Sequence, residues 1–235
     1  GAIMKKYLPW IILLVLVAGF IAILPASVTI VPIAEVEAQK QLEEFDPVAY
    51  VEGIWSSQLL PAVTEKAVDL AAILNQFEVD AQGRAKKDQL TAIAEENGLI
   101  TVGEAHVYLV KGEGTVTAVD TESRVGTLTL QLDGYDGPIT VQLYIGPRIP
   151  SDETAVRDAV GFINFGDFRD QTEYGKVGSE LNKRIASEVL GGLDVATLEG
   201  KRITFYGALG IRTFNLIDID VSTLTVVPIQ VEVVE

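Results

Sequence analysis

The sequence predicts an α+β fold, mainly β, in which an OB-fold-like five-stranded barrel with flanking helices follows an amino-terminal transmembrane helix. Three observations predict it. An apolar run opens the chain, helical periodicity precedes residue 105, and from residue 105 the apolar positions recur every second residue. A further helical stripe then separates the third strand from the fourth.

The apolar run covers residues 8–24 and is long enough to cross a bilayer, whose core needs about 20 apolar residues in helical form. Lys5 and Lys6 precede the run, and Trp10 lies where an interfacial aromatic residue is expected. Because positive residues stay on the cytoplasmic side, we expect the rest of the chain to be exported. Residues 1–34 are therefore assigned to a cytoplasmic stub, an uncleaved single-pass anchor and the start of a stem. A cleaved secretory signal is the alternative, and it also leaves the remaining domain outside the cytoplasm.

Residues 35–104 are predicted to form the rest of the stem and a helical subdomain that packs on the barrel. The apolar and aromatic segment 45–61 contains Trp55, which is interpreted as a core residue or as a ligand platform. Thr64 is predicted to cap a helix whose apolar stripe comprises Ala67, Leu70, Ala71, Leu74 and Phe77.

A second helix is predicted from about Arg84 to Glu96, with Leu90, Ile93 and Ala94 on one face. Asn97-Gly98 is predicted to end it in the left-handed conformation.

Residues 105–235 are predicted to form the barrel. A long first strand begins at Ala105 and is expected to bend near Gly112 and Gly114. The second strand contains Leu128, Leu130 and Leu132, and the third contains Ile139, Val141, Leu143 and Ile145. The clean alternation predicts an antiparallel three-strand meander.

The remaining elements complete the order of an OB-fold. Asp170 and Glu173 resemble a capping box before a helix whose stripe comprises Tyr174, Val177, Leu181, Ile185 and Val189 and which stops at Gly191-Gly192. Strands follow over 202–209 and 224–233, and Pro228 predicts an edge or a bulge in the last one. A β-sandwich with a packed helix is the alternative.

Composition excludes several classes of function. The 235 residues contain no cysteine and one histidine, His106, which excludes thiolate chemistry, disulfides and His-rich metal sites. The net charge is −15, and residues 1–34 contribute +2, so residues 35–235 carry −17. No basic stripe interrupts that acidity, so we expect no nucleic-acid binding, and no cofactor, metal or catalytic residue is assigned.

The segment 154–174 interleaves charged and aromatic residues and is the candidate binding site. Arginine can bind a carboxylate or phosphate in bidentate fashion, and aromatic rings can stack on a sugar or base. The candidate binding residues are Arg157, Asp158, Asp167, Arg169 and Gln171, supported by Trp55, Phe162, Phe165 and Phe168. The alternative is structural: the phenylalanines plug the barrel's end while Arg157 pairs with Asp158 or Asp167.

Four strings resemble a known bacterial family. They are FDPVAYVEGIWSSQLLP, VYLVKGEGTV, the block IGPRIPSDETAVRDAVGFINFGDFRDQTEYGKVGSELNKR, and LTVVPIQVEV. Together they resemble the predicted periplasmic lipoproteins of domain of unknown function 2291. The resemblance implies an extracytoplasmic protein of undefined activity whose genes tend to lie beside those of sugar-type ABC importers, and hence an accessory role with a permease or substrate-binding protein. Because these residues include no lipobox cysteine, we expect the apolar helix to provide the tether.

Three functions remain open at this point. The first is a non-enzymatic, membrane-anchored module that binds a protein partner or small solute beside a transporter. The second is a carboxylate-based hydrolase of carbohydrate or cell-wall polymer, which an open cleft with two facing acids would favour. The third is a structural envelope protein without a ligand, which a buried internal ion pair at Arg157 would favour.

Overall fold

The computed structural model describes residues 45–234 of the chain. The α-helices in this range are α1 (Pro47–Ile54), α2 (Leu60–Lys66), α3 (Leu70–Leu74), α4 (Lys87–Asn97), α5 (Ala155–Ala159) and α6 (Gln171–Arg184). The strands are β1 (Val68–Asp69), β2 (Arg84–Lys86), β3 (Leu99–Ile100), β4 (His106–Asp120), β5 (Thr127–Leu132), β6 (Thr140–Tyr144), β7 (Arg202–Ile211), β8 (Asp218–Asp220) and β9 (Thr223–Val234). Two π-helical turns, Trp55–Leu59 and Ile185–Leu190, follow α1 and α6.

Five strands form a closed circuit of hydrogen-bonded neighbours. β4 pairs with β5, β5 with β6, β6 with β9, β9 with β7, and β7 with β4 again. β6 and β9 run parallel, whereas the other pairs are antiparallel. The predicted meander of β4, β5 and β6 is confirmed, and the predicted helix α6 lies between β6 and β7 in the chain, where it is preceded by the shorter helix α5, which was not predicted. Because one circuit contains all five strands, the β-sandwich alternative is wrong.

Side-chain alternation places one face of each strand in the core. Leu128, Leu130 and Leu132 of β5 are buried, and so are Val141 and Leu143 of β6. Each such side chain stabilises the fold by about 1.5–3 kcal/mol relative to an exposed position. The apolar residues that alternate with polar ones in the sequence of β5 and β6 are therefore the residues that are buried.

The strands β4 and β9 each contain an irregularity. In β4 the register shifts between Val116 and Ala118, two residues after Gly114, and the bend near Gly112 and Gly114 stays a prediction. Gly114 permits close strand approach, because a Cβ there would lie 2.4 Å from the carbonyl oxygen of Gln131. In β9 the register shifts next to Pro228, and the predicted bulge is confirmed.

A helical run extends from residue 47 to 66, across the segment for which the sequence predicted no individual helix before residue 64. Asp46 caps α1, because its carboxylate accepts hydrogen bonds from the backbone N–H groups of Val48 and Ala49, and Pro47 occupies the first turn. The π-helical turn lies just before Pro61, whose ring would clash with the carbonyl of residue 57 in a regular helix. Widening the helix at this point lets it continue into α2.

The predicted cap at Thr64 is wrong. Thr64 lies inside α2, where its hydroxyl donates to the Leu60 carbonyl at 2.9 Å, and Ala67 is extended. Asp69 caps the next helix, α3, by accepting from the Ala72 N–H at 2.8 Å. The apolar residues keep a helical spacing across the break between α2 and α3, so the spacing alone did not show that the helix is interrupted.

The helix α4 begins later than predicted because Arg84–Lys86 form β2, which pairs with β8. Its apolar face is confirmed, since Leu90, Ile93 and Ala94 are buried. The predicted left-handed end is wrong, because Gly98 has φ −151°. A glycine suits this position because a Cβ would lie 2.5 Å from the carbonyl oxygen of Val107.

The helix α6 begins as predicted, with Asp170 accepting from the N–H groups of Thr172 and Glu173. Val177, Leu181 and Ile185 are buried. The last position of the stripe differs: Leu190 is buried and Val189 is only half-buried. The π-helical turn Ile185–Leu190 explains the difference, since a wider turn rotates the following side chains relative to an α-helical stripe.

The predicted transmembrane anchor and the first part of the stem lie outside the described residues. Within residues 45–234, no helix is both long enough and apolar enough to cross a bilayer. From Asp46 onward the described residues form one compact unit, and α2, α3 and α4 pack against β4.

Candidate functional site

A buried arginine occupies the centre of the candidate site. Arg157 lies on α5 and is 7% exposed. Its Nε donates to Asp158 Oδ1 at 2.8 Å, and its Nη1 donates to the carbonyl oxygen of Tyr174 at 3.3 Å. Its guanidinium carbon also lies 3.7 Å from the centroid of the Tyr174 ring. We call Arg157, Asp158 and Tyr174 the arginine cluster.

The charged and polar groups of the arginine cluster are hydrogen-bonded to one another. The Tyr174 hydroxyl donates to Asp158 Oδ1 at 3.0 Å, so this carboxylate oxygen accepts hydrogen bonds from both Arg157 and Tyr174. Burial raises the pKa of Tyr174, and the charge of Asp158 raises it further. The phenol therefore stays protonated at neutral pH and acts as a donor. A ligand that bound the Nε group of Arg157 would have to displace Asp158.

The loop that follows α5 is held by local hydrogen bonds. The side chains of Asn164 and Asp167 form a reciprocal cap across the 3-10 turn Phe165–Asp167. The carboxylate of Glu173 accepts from the Arg169 N–H at 2.9 Å and pairs with the Arg169 guanidinium at 2.9 Å. Because Glu173 is buried, it anchors Arg169 to α6 while leaving the arginine side chain 62% exposed.

Four aromatic rings join this loop to α1 and α6, and we call them the aromatic ridge. Phe168 packs edge-on against Tyr50 of α1, with centroids 5.4 Å apart, and lies 5.6 Å from Tyr174. Phe165 packs edge-on against Tyr174 at 5.6 Å and remains 52% exposed. Edge-to-face pairs of this kind contribute about 0.5–1.5 kcal/mol beyond their buried area. The ridge therefore presents Phe165 to solvent on a fixed support.

The structure brings together some of the predicted site residues. Arg157, Asp158, Phe165 and Phe168 meet around Tyr174. Arg169 is joined to them through Glu173. Asp167 lies in the turn, and Gln171 is exposed at the first position of α6.

Other predicted site residues lie elsewhere or play a different part. Trp55 is buried and lies beneath Arg184, with 4.9 Å from the guanidinium carbon to its ring centroid. Tyr174 and Arg184 are ten positions apart, which is about 15 Å along a helix, so Trp55 is remote from Tyr174 and the arginine cluster. Phe162 and Phe168 are half-buried and Phe165 is exposed, so the three phenylalanines do not plug the core.

Two contributors to the ridge were not assigned to the site from sequence. Tyr50 belongs to a helix that was not predicted, although Asp46-Pro47 is a recognisable start signal. Tyr174 was assigned to the apolar stripe of its helix, and its contact with the guanidinium depends on how α5 meets α6.

Carboxylates also meet in a cleft of about 270 Å³ between α1 and α6. Glu52, Glu180 and Glu188 line it, but Glu180 pairs with Lys183 at 3.1 Å and Glu188 pairs with Arg184 at 3.0 Å. Two of the three acids are thus neutralised by neighbouring cations, which does not suit an acid–base pair. Within residues 45–234, no three His, Asp or Glu side chains converge to hold a metal ion.

His106 lies outside the candidate site, at the start of β4. It is 1% exposed, its Nε2 shares a hydrogen bond of 3.2 Å with the Thr91 hydroxyl, and its Nδ1 has no hydrogen-bond partner in the described chain. Burial lowers the pKa of His106, Lys87 lowers it further, and Glu104 opposes them. The ring is therefore neutral at pH 7.

We expect the pKa of His106 to lie below its ordinary value of about 6.5 in the folded protein. The unfolded chain then takes up a proton first on acidification, so this contribution to stability is complete above the unfolded pKa and is lost as the pH falls below it. Because His106 is the single histidine, one ring resonance in an NMR titration reports it. A titration midpoint at or above 6.5 would contradict the expectation, and His106→Gln should abolish the corresponding slope in unfolding free energy.

Comparisons with known proteins agree with the family resemblance seen in the sequence and with the observed fold. A family model described as "Predicted periplasmic lipoprotein", domain of unknown function 2291, matches residues 16–232. A crystal structure of an OB-fold protein from Thermotoga maritima is similar to this chain with a TM-score of 0.57 and 18% identity, covering 81% of this chain and 99% of that chain. At this identity the similarity shows the fold alone, and it supports a mixed α+β fold of OB type. No curated protein matches the sequence.

Proposed function

Because the chain belongs to the family of predicted periplasmic lipoproteins of domain of unknown function 2291, we propose that it is a membrane-anchored accessory module outside the cytoplasm that binds a protein partner beside a transporter. The partner is the permease or the substrate-binding protein of a sugar-type ABC importer. The module itself is not an enzyme.

The location is supported by the family description and by the amino-terminal sequence. The family is described as periplasmic, and the matched region begins at residue 16, inside the apolar run 8–24. A single pass with Lys5 and Lys6 on the cytoplasmic side would hold the described domain at the outer surface of the membrane.

The exposed Phe165 on its fixed support is the observation that carries the binding proposal. Aromatic and arginine side chains supply most of the energy of protein interfaces, and they do so best when they are held rigidly. Phe165 and Arg169 are both more than half exposed, while the half-buried Tyr174 and the buried Glu173 hold them in place. The scaffold of this surface is the predicted five-stranded barrel, which the closed circuit of strand pairing supports.

The negative charge of the chain indicates which kind of partner surface would fit. Asp167 and Asp170 flank Phe165 and Arg169 in the chain, and residues 35–235 carry −17. Like charge repels acidic partners and nucleic acids, so the complementary surface has an apolar pocket with a basic rim.

A structural envelope protein without a ligand is the second candidate. The observation that favours it is the burial of Arg157 in an internal ion pair with Asp158. In that case the arginine cluster serves only to join α5 to α6, and Phe165 has no partner.

The two candidates differ in what the module retains in native membranes. We expect a permease or substrate-binding protein to co-purify with the wild-type chain in mild detergent after brief cross-linking. Phe165→Ser should lower the recovered partner about tenfold or more, the effect of truncating one aromatic anchor. Phe214→Ser is the matched control, because Phe214 is 62% exposed on the loop after β7 and makes no ring contact with the aromatic ridge within the described residues.

Equal recovery from the two phenylalanine variants would contradict the assignment of the surface. Failure of the wild-type chain to retain any transporter component would contradict the accessory role and favour the structural candidate. Matching thermal unfolding curves for the two variants are required, and both side chains are exposed enough to expect them.

A further inference from the structure

We propose that a second cleft, at the carboxyl end of α6, binds a small amphipathic carboxylate whose charge is held by Arg148. The cleft has a volume of about 530 Å³ and lies between the loop after β6 and the π-helical turn after α6. We call it the distal cleft, because it is about 20 Å along the helix from Tyr174. It is therefore separate from the aromatic ridge.

The floor of the distal cleft is apolar. Ile145 and Leu190 are buried beneath it, and Leu193 and Val195 are further apolar residues of its lining. Small-molecule sites commonly enclose about 300–1,000 Å³ with apolar walls and a few polar groups, and this cleft falls in that range. An apolar body of several carbon atoms is the complement of such a floor.

The two walls are fixed before any ligand arrives. The Ile145 N–H donates to the Gly126 carbonyl oxygen at 3.1 Å. A Cβ at Gly146 would lie 1.9 Å from the Val125 carbonyl oxygen, so this loop is pressed against the turn before β5. On the other side, the π-helical turn directs Leu190 into the core, and such turns frequently occur at functional sites.

The rim of the distal cleft carries cations and no acid. Arg148 is exposed and forms no ion pair or hydrogen bond within the described chain. Lys183, also on the rim, pairs with Glu180 at 3.1 Å, but its side chain is 73% exposed. Because the side chain of Lys183 is mostly exposed, its ammonium can approach a ligand while it keeps its pairing with Glu180.

The chemistry of the rim selects a carboxylate. The planar guanidinium of Arg148 matches a carboxylate in bidentate geometry, with two N–H groups donating to the two oxygens. One free guanidinium and one shared ammonium suit a single negative charge. The acidic surface of the rest of the chain leaves this rim as a local exception where an anion is attracted.

Octanoate is the probe, with octanamide as its neutral counterpart. The full-length chain is placed in lipid nanodiscs with ¹³C-labelled Ile, Leu and Val methyl groups. We expect saturable shifts at Ile145, Leu190, Leu193 and Val195 on adding octanoate, and about tenfold weaker or no saturation with octanamide, because a charge-assisted hydrogen bond is lost.

Arg148→Gln should weaken octanoate binding about tenfold or more. Arg124→Gln is the matched control, because Arg124 is also exposed, forms no ion pair in the described chain, and lies outside the cleft lining. The proposal is overturned if the four methyl groups do not shift, if octanamide binds equally well, or if the two variants bind octanoate with equal affinity. None of these outcomes depends on the aromatic ridge or on its partner.

Discussion

Replacing Arg157 with methionine is expected to lower the free energy of unfolding by about 3–5 kcal/mol, the cost of leaving one charge of a buried pair uncompensated. The side chain of Asp158 is 9% exposed, and after the replacement its remaining partner in the cluster is the Tyr174 hydroxyl. Methionine keeps much of the apolar volume of the arginine side chain, so the loss is mainly electrostatic. Chemical denaturation of the wild-type and variant chains measures the difference.

Two further variants test whether the uncompensated charge of Asp158 causes the loss of stability. Arg169→Met removes an arginine whose partner is also a carboxylate, but this arginine side chain is 62% exposed and Glu173 keeps the hydrogen bond from the backbone N–H of residue 169, so we expect a smaller loss than at Arg157. Arg157→Met combined with Asp158→Asn removes both charges and should recover part of the lost stability. If Arg157→Met alone changed stability as little as Arg169→Met, the arginine cluster would not be structural, and Arg157 would be available to a ligand.

Replacing Gly114 with alanine is expected to lower the free energy of unfolding by about 3 kcal/mol, the upper part of the range for overpacking. The added Cβ would lie 2.4 Å from the carbonyl oxygen of Gln131, and a backbone atom in a paired strand cannot move aside as a side chain does. β4 and β5 must separate locally, which weakens their ladder. Thermal or chemical unfolding measures the loss.

Gly53→Ala is the matched control for this replacement. Gly53 lies in α1, and a Cβ there meets nothing within 4 Å. Alanine in a helix interior is favoured over glycine by about 0.5–1 kcal/mol, so this variant should be more stable than the wild type. Equal losses at the two positions would show that the tight contact between β4 and β5 is not the cause.

The sequence predicted the elements whose signal is local. β5 and β6 have one buried face, so burial imposes alternation on neighbouring residues. α6 has a cap at Asp170 and an apolar stripe, both of which lie within the element. In such cases the residues that determine the structure are also the residues that form it.

The elements that were missed depend on distant or unusual contacts. β2 spans Arg84–Lys86 and exists because β8 pairs with it more than 130 positions later. The helical run through Pro61 depends on a π-helical turn, which has no strong sequence signal. For these reasons the start of α4 was placed too early and the helical run that begins with α1 was not predicted.

The candidate site shows the same division. The adjacent residues Arg157 and Asp158 were recognised as a possible pair, and the structure joins them. The contacts of Tyr50 with Phe168 and of Tyr174 with Arg157 were not predicted, because they arise where separate helices pack together. Sequence spacing alone cannot report which face of one helix meets another.

The parallel pairing of β6 with β9 has a consequence for the order of folding. β9 follows the other four strands of the circuit in the chain, and it is hydrogen-bonded to β6 on one side and to β7 on the other. A chain made from its amino terminus therefore holds two unsatisfied strand edges until β9 has been made and has paired. Exposed edges of this kind invite pairing with other chains, and contacts this distant in sequence form slowly. The period of greatest vulnerability to aggregation therefore lasts until β9 closes the circuit.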